Sequence, residues 1–102
     1  MLIYSTEHFK KWLSRLIDLR AKAKILIRLD RIQNNGHFGD SKSLGNGLHE
    51  LRIPEGKGYR IYYVRKDEMA IILLVGGDKS TQSEDIIKCL NLLEKLKWNY
   101  PP

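Results

Sequence analysis

The stretch Gly47-Leu48-His49-Glu50-Leu51-Arg52-Ile53-Pro54, followed after four residues by Tyr59-Arg60-Ile61-Tyr62-Tyr63-Val64, decides the fold. In both halves the hydrophobic period is two. His49, Leu51 and Ile53 fall on one side of a strand and Leu48, Glu50 and Arg52 on the other; Tyr59, Ile61 and Tyr63 alternate with Arg60, Tyr62 and Val64. Pro54 stops the first strand because it has no N–H for the ladder, and Glu55-Gly56-Lys57-Gly58 suits a hairpin loop. The two strands are therefore expected to be neighbours and antiparallel.

Downstream, Asp67 and Glu68 mark a turn, and Met69 to Val75 is short and apolar, as expected of a central strand covered on both faces. That strand is expected to end at Gly76 and Gly77. A last helix then starts near Thr81, where Thr81 and Glu84 have capping-box spacing and Asp85 adds charge to the first turn; Ile86, Leu90, Leu93 and Leu96 form its apolar face.

Upstream, Leu2 to Tyr4 opens as a strand, and Ser5 or Thr6 can cap a helix that packs Phe9, Trp12, Leu13, Leu16 and Ile17. After a break at Asp18 and Leu19, a second helix over 20–33 packs Ala21, Ile25, Leu29 and Ile32, and Asn34 to Gly36 end it. Lys10, Lys11, Lys22, Lys24, Arg28 and Arg31 lie on the outer faces of this hairpin. The polar stretch His37 to Gly47 reads as a loop. The expected fold is α+β in the order β-α-α-β-β-β-α, one domain over 1–102, its antiparallel sheet packed against a helical hairpin and a C-terminal helix.

Eighteen Lys and Arg against twelve Asp and Glu give the 102-residue chain a net charge of +6, which favours a polyanionic partner such as nucleic acid. The run Ala70 to Val75 is too short to cross a bilayer, and the single cysteine, Cys89, fits a small core residue in a reducing compartment, so a cytoplasmic protein without a membrane partner is expected. Several enzyme classes drop out. His8, His37 and His49 lack zinc-site spacing, Gly76-Gly77-Asp78-Lys79-Ser80 lacks the spacing of a phosphate loop, and no serine or cysteine triad can be drawn. The expectation is no metal and no cofactor.

What remains is a set of cations around the sheet: Arg52, Lys57, Arg60 and Lys79. If strand register brings Glu50 and Arg52 onto the face of Arg60 and Tyr62, that face offers guanidinium groups for a phosphate, a tyrosine for base stacking and a carboxylate to orient or accept a proton. RNA carries its own nucleophile, since a 2′-OH can attack the adjacent phosphodiester once the groups are aligned. The alternative is that Glu50, Arg52 and Arg60 form cross-strand ion pairs on a solvated face.

The segments Gly47 to Ile53, Gly58 to Tyr63 and Leu73 to Gln82, with Tyr4-Ser5-Thr6-Glu7 and Trp12-Leu13, resemble the RelE/ParE toxin superfamily, and within it the addiction-module killer, or HigB-like, branch. The resemblance implies the toxin of a type II toxin-antitoxin pair, a helix-turn-helix antitoxin encoded beside it, operator DNA contacted only through that antitoxin, and cleavage of mRNA on the ribosome. By position, Arg52, Arg60 and Lys79 match the family's basic active-site residues, with Glu50 as an orienting group or base. Lys57, Tyr62, Gln82 and His49 are expected on the substrate side. The RelE branch carries a tyrosine in its last segment, where this chain has acidic and aliphatic residues around Asp85. The ParE branch has the same fold and instead binds DNA gyrase; a toxin-like protein that serves only as antitoxin partner or co-repressor is the third reading.

Overall fold

The computed structural model describes residues 1–67 and 69–96. Its elements are β1 (Leu2–Ser5), α1 (Glu7–Arg15), α2 (Leu19–Asn35), β2 (Ser41–Gly45), β3 (Leu48–Ile53), β4 (Tyr59–Asp67), β5 (Ala70–Asp78), a 3-10 turn (Lys79–Thr81) and α3 (Gln82–Leu96). The α+β order expected from periodicity is present, with one strand added. Of the turn expected at Asp67 and Glu68, Glu68 lies outside the described residues; the Asp67 carboxylate accepts the Met69 N–H at 2.7 Å. Among the described residues no helix is long and apolar enough to cross a membrane.

The sheet runs β1-β5-β4-β3-β2, and β3, β4 and β5 are antiparallel neighbours as expected. Strand β1 joins β5 in parallel, Leu2 to Ser5 facing Ala70 to Leu73. Strand β2 lies inside the segment read as a loop and pairs Ser41, Lys42 and Ser43 with Leu51, Glu50 and His49. As an edge strand of polar residues with one neighbour it shows no apolar alternation, so the sequence carries no signal for it.

Two cores flank the sheet. On one side Ala21, Ile25 and Ile32 of α2 and Phe9 of α1 pack against Leu51, Ile53, Tyr59, Ile61, Tyr63, Ile71 and Leu73. On the other, Cys89 with Ile86, Leu92, Leu93 and Leu96 of α3 covers Leu48, Tyr62, Ile72, Leu74 and Val75. Cys89 is fully buried, and burial pushes its thiol up to about 12, so it fills space as expected. Two apolar expectations fail. Ile17 is 93% exposed because α1 ends at Arg15 and the extended Leu16 breaks the helical period; Leu90 is 43% exposed because Cys89 and Leu93 take the inward positions of α3.

The helix ends carry their own stops. Thr6 caps α1, its Oγ1 accepting the Phe9 N–H at 3.2 Å and donating to the Leu74 carbonyl at 2.6 Å, which staples α1 to β5. Asp18, read as part of a break, is the N-cap of α2 and accepts the Ala21 N–H at 3.0 Å.

Strand β5 does not end at Gly76. It continues through both glycines to Asp78, and the register slips between Tyr62↔Val75 and Tyr63↔Leu73, so Leu74 and Val75 both reach the α3 side. A Cβ built at Gly76 would overlap the Trp12 indole, and one at Gly77 would overlap the Asp85 carboxylate. Glycine is thus demanded here by close approach on both faces. Gly76→Ala is expected to destabilise the protein by about 1–3 kcal/mol through overpacking. In urea unfolding the loss should shrink in a Trp12→Leu background; equal losses in both backgrounds would show that the indole is not the obstacle.

Candidate functional site

Register settles which side chains share a face. Glu50 stands opposite Tyr62 and Arg52 opposite Arg60, so all four lie on the α3 side of the sheet. Arg60 Nε is 2.9 Å from Glu50 Oε1, and Gln82, in the first turn of α3, donates its Nε2–H to the same oxygen at 2.7 Å. Arg60 Nη1 donates to the Gly58 carbonyl at 3.1 Å. Arg52 Nη2 lies 3.2 Å from the Asp40 carboxylate, and the Arg52 backbone N–H donates to the Asp40 carbonyl at 2.9 Å.

The ion pair between Glu50 and Arg60 is not solvated: 2% of the Glu50 side chain and 14% of the Arg60 side chain are exposed. Removing either partner would leave a buried charge uncompensated. Two guanidinium groups directly across a strand pair repel, and each is offset by its own carboxylate, Glu50 for Arg60 and Asp40 for Arg52. Even so, the Arg52 Nε and the Tyr62 hydroxyl are buried without a hydrogen-bond partner among the described residues, while the Arg60 Nε meets only the Glu50 carboxylate of its ion pair. An unsatisfied guanidinium donor beside a second guanidinium is a position that an anion or other acceptor would satisfy.

Lys57 lies in the hairpin loop, where it lines a cleft with Trp12 and Tyr59, and Lys79 lies in the 3-10 turn. A Cβ built at Gly58, where φ is +76, would stand 3.8 Å from both Arg60 Nη1 and Lys79 Cβ, so the root of the Lys79 side chain lies near the Arg60 guanidinium. The turn that carries Lys79 is fixed by a capping box three residues earlier than expected, between Asp78 and Thr81 rather than Thr81 and Glu84. The Ser80 hydroxyl beside Asp78 holds its carboxyl below the ordinary value, with further help from the Ser80 N–H and the charge of Lys57.

Asp85 stands in the first turn of α3 as expected, is 3% exposed against Gly77 and accepts the Thr81 hydroxyl at 2.6 Å. Burial raises its pKa despite that bond and the nearby Lys88. Tyr62, expected as a stacking platform, has no exposed surface and sits in the α3 core, with its hydroxyl pushed up chiefly by burial. No base can stack on it in this conformation. His49 points to the opposite face and stacks on Tyr63 at 5.1 Å, away from Glu50 and Arg60. Asp40 went unnoticed in the sequence because its role depends on a loop meeting β3; the Asp78-x-x-Thr81 spacing was legible and overlooked.

The fold is that of the RelE toxins. The chain is similar to an arginine double mutant of the E. coli toxin RelE in the free state, with a TM-score of 0.72 and 15% identity over 90% of this chain and 96% of that one. It is also similar to the intact E. coli RelBE toxin-antitoxin complex, with a TM-score of 0.62 and 15% identity over 76% of this chain and 94% of that one. By sequence the chain belongs to the family described as Phage derived protein Gp49-like, which matches residues 11–94. A relative in Haemophilus influenzae, an uncharacterized protein, is 51% identical over 94 residues, 92% of this chain and 94% of its own length.

Because the folded pKa of Asp85 is raised, its stabilising contribution is complete below the unfolded value of about 4 and is lost as pH rises through the folded value. Asp85→Asn, which keeps an acceptor for Thr81, should therefore raise the melting temperature at pH 7, with the gain closing as pH falls below about 4. A gain of the same size at both ends would show that the buried charge is not its cause.

Proposed function

We propose that this protein is the toxin of a type II toxin-antitoxin pair and a ribosome-dependent mRNA endonuclease. The observation that carries the reading is the juxtaposition of Arg52 and Arg60, side by side on a RelE-like sheet, with the Arg52 Nε buried and without a hydrogen-bond partner among the described residues. A phosphodiester seated between them meets two forked cations, with Lys79 entering from the turn beyond β5. The RNA 2′-OH gives up its proton to water and attacks its own phosphorus, the bond to the 5′ oxygen breaks, and that oxygen takes a proton from water, leaving a 2′,3′-cyclic phosphate and a 5′-OH. Charge grows on the non-bridging oxygens, where the guanidinium groups stabilise it most. Because the RNA supplies the nucleophile, the chemistry requires no metal-bound water.

In this reading Glu50 is a positioning residue rather than the proton acceptor. It is almost wholly buried, and its Oε1 is already engaged by Gln82 and faces Arg60, which aims the guanidinium outward. The partner is a co-encoded helix-turn-helix antitoxin, whose acidic segment would cover the cations of the sheet. Binding to DNA gyrase is the reading that would replace RNA cleavage.

Mapping the 5′ ends of cellular transcripts after induced expression tests the reaction: cuts within translated mRNA are expected, whereas intact mRNA with early arrest of DNA synthesis would replace the assignment with gyrase inhibition. At single residues, Arg60→Ala should lower cleavage about a hundredfold or more, comparable to losing an oxyanion donor. Arg60→Lys should recover only part, since it keeps the charge and loses the fork. Melting curves must accompany both, because Glu50 loses its buried partner in the alanine variant. Full toxicity in Arg60→Ala, or in both Arg52→Ala and Lys79→Ala, would place the site elsewhere.

A further inference from the structure

A cleft of about 430 Å³ that the proposed reaction does not use lies at the end of the sheet, with Trp12 and Tyr59 on its α1 side and neither Arg52 nor Arg60 in its lining. It opens between α1, the loop joining β3 and β4, the end of β5 and the first turns of α3. Lys11 and Arg15, one helical turn apart on α1, form one rim, and Lys57 and Lys88 stand at the others. Lys11, Arg15, Lys57 and Lys88 are exposed, and none has an ion-pair partner among the described residues. The half-buried indole of Trp12 forms the wall, held by Phe9 at 5.9 Å and Tyr59 at 6.2 Å between ring centroids. Asp78 and Asp85 also line it, with the Asp85 carboxylate turned to Thr81 and Gly77 and Asp78 Oδ1 to Ser80.

We propose that this cleft binds a further nucleotide of the single-stranded RNA whose phosphate Arg52 and Arg60 hold. The phosphate sits among Lys11, Arg15 and Lys57, and the base lies along Trp12. Cations with an aromatic wall form the combination that holds single-stranded nucleic acid. The aromatic wall decides between partners: an acidic peptide would satisfy the cations and leave the indole unused, whereas a nucleotide brings a phosphate for the cations and a base for the ring. Lys57 lines the cleft and precedes Gly58, whose carbonyl accepts from Arg60 Nη1, so the hairpin loop connects the cleft to the arginine pair. The inference rests on reading the arginine face as an RNA-cleaving site and adds where a further nucleotide goes.

The test uses the full chain carrying Trp98→Phe, which leaves Trp12 as its one tryptophan, and a short labelled single-stranded RNA. Binding should quench Trp12, and the double variant Lys11→Ala/Arg15→Ala should weaken it about tenfold while flattening its salt dependence by roughly two charges. That variant should melt as the parent does, since both side chains are exposed and unpaired. Arg60→Ala should abolish cleavage and leave the quenching in place. If RNA fails to quench Trp12, or the double variant binds like the parent, the cleft assignment falls even where Arg60→Ala stops cleavage. If RNA quenches Trp12 and the parent cuts no mRNA on ribosomes, the cleft stands and the cleavage reading falls. Quenching by a polyglutamate peptide and not by RNA would give the cleft to a protein partner.

Discussion

Strand β5 is buried on both faces, and most other features of the molecule follow from that constraint. Its Ile71 and Leu73 enter the core under α1 and α2, while Ile72, Leu74 and Val75 enter the core under α3. A strand covered on both sides has no solvent face to spare, so its composition is almost wholly apolar until Gly76. At that point the two layers come closest. Trp12 presses on Gly76 from one side and Asp85 on Gly77 from the other, which fixes α1 and α3 relative to the end of β5. The turn carrying Lys79 begins directly after this clamp, so its position is inherited from the packing of the core.

The candidate site is built against the preferences of an isolated sheet. Two arginines face each other across β3 and β4, an arrangement that costs stability unless carboxylates offset it. The protein supplies those carboxylates from different places: Glu50 from the same sheet face, tied to α3 through Gln82, and Asp40 from the segment before β2. The Arg52 Nε has no hydrogen-bond partner among the described residues despite this support. A fold that needed only stability could hold well-packed apolar residues in place of such a pair at little cost.

Much of this site was legible from residue types. The period-two pattern placed Glu50 with Arg52 and Arg60 with Tyr62, and the chain offered few other candidates for chemistry. Alternation alone could not say whether those two faces coincide, because hairpin register depends on the turn and on packing further along both strands. It placed Tyr62 and Tyr63 on opposite faces and could not say how deeply either is buried. The Tyr62 hydroxyl ends under α3 with no hydrogen-bond partner among the described residues, and the Tyr63 hydroxyl pairs with Ser41 at 2.7 Å on the opposite face. Alternation likewise put His49 opposite Glu50 and Arg52, which is where it lies, so its expected place on the substrate side ran against the strand pattern.

By itself, the sequence determined the α+β order, the helical hairpin, the β3-β4 pairing and the basic character of the surface, because periodicity, prolines and glycines, and net charge are local properties. Tertiary structure decided the rest. Strand β2 exists only because β3 has an edge to offer, and β1 runs parallel to β5 because two helices carry the chain over one face before the sheet resumes. The slip at Leu74 sends Gly76 toward Trp12 and Gly77 toward Asp85; no local pattern marks it, since a run of apolar residues reads the same in either register. Burial of Asp85, orphaning of the Tyr62 hydroxyl and convergence of Arg52 with Arg60 all depend on contacts between segments far apart in the chain, where distance and solvent exclusion, rather than residue type, set the energy.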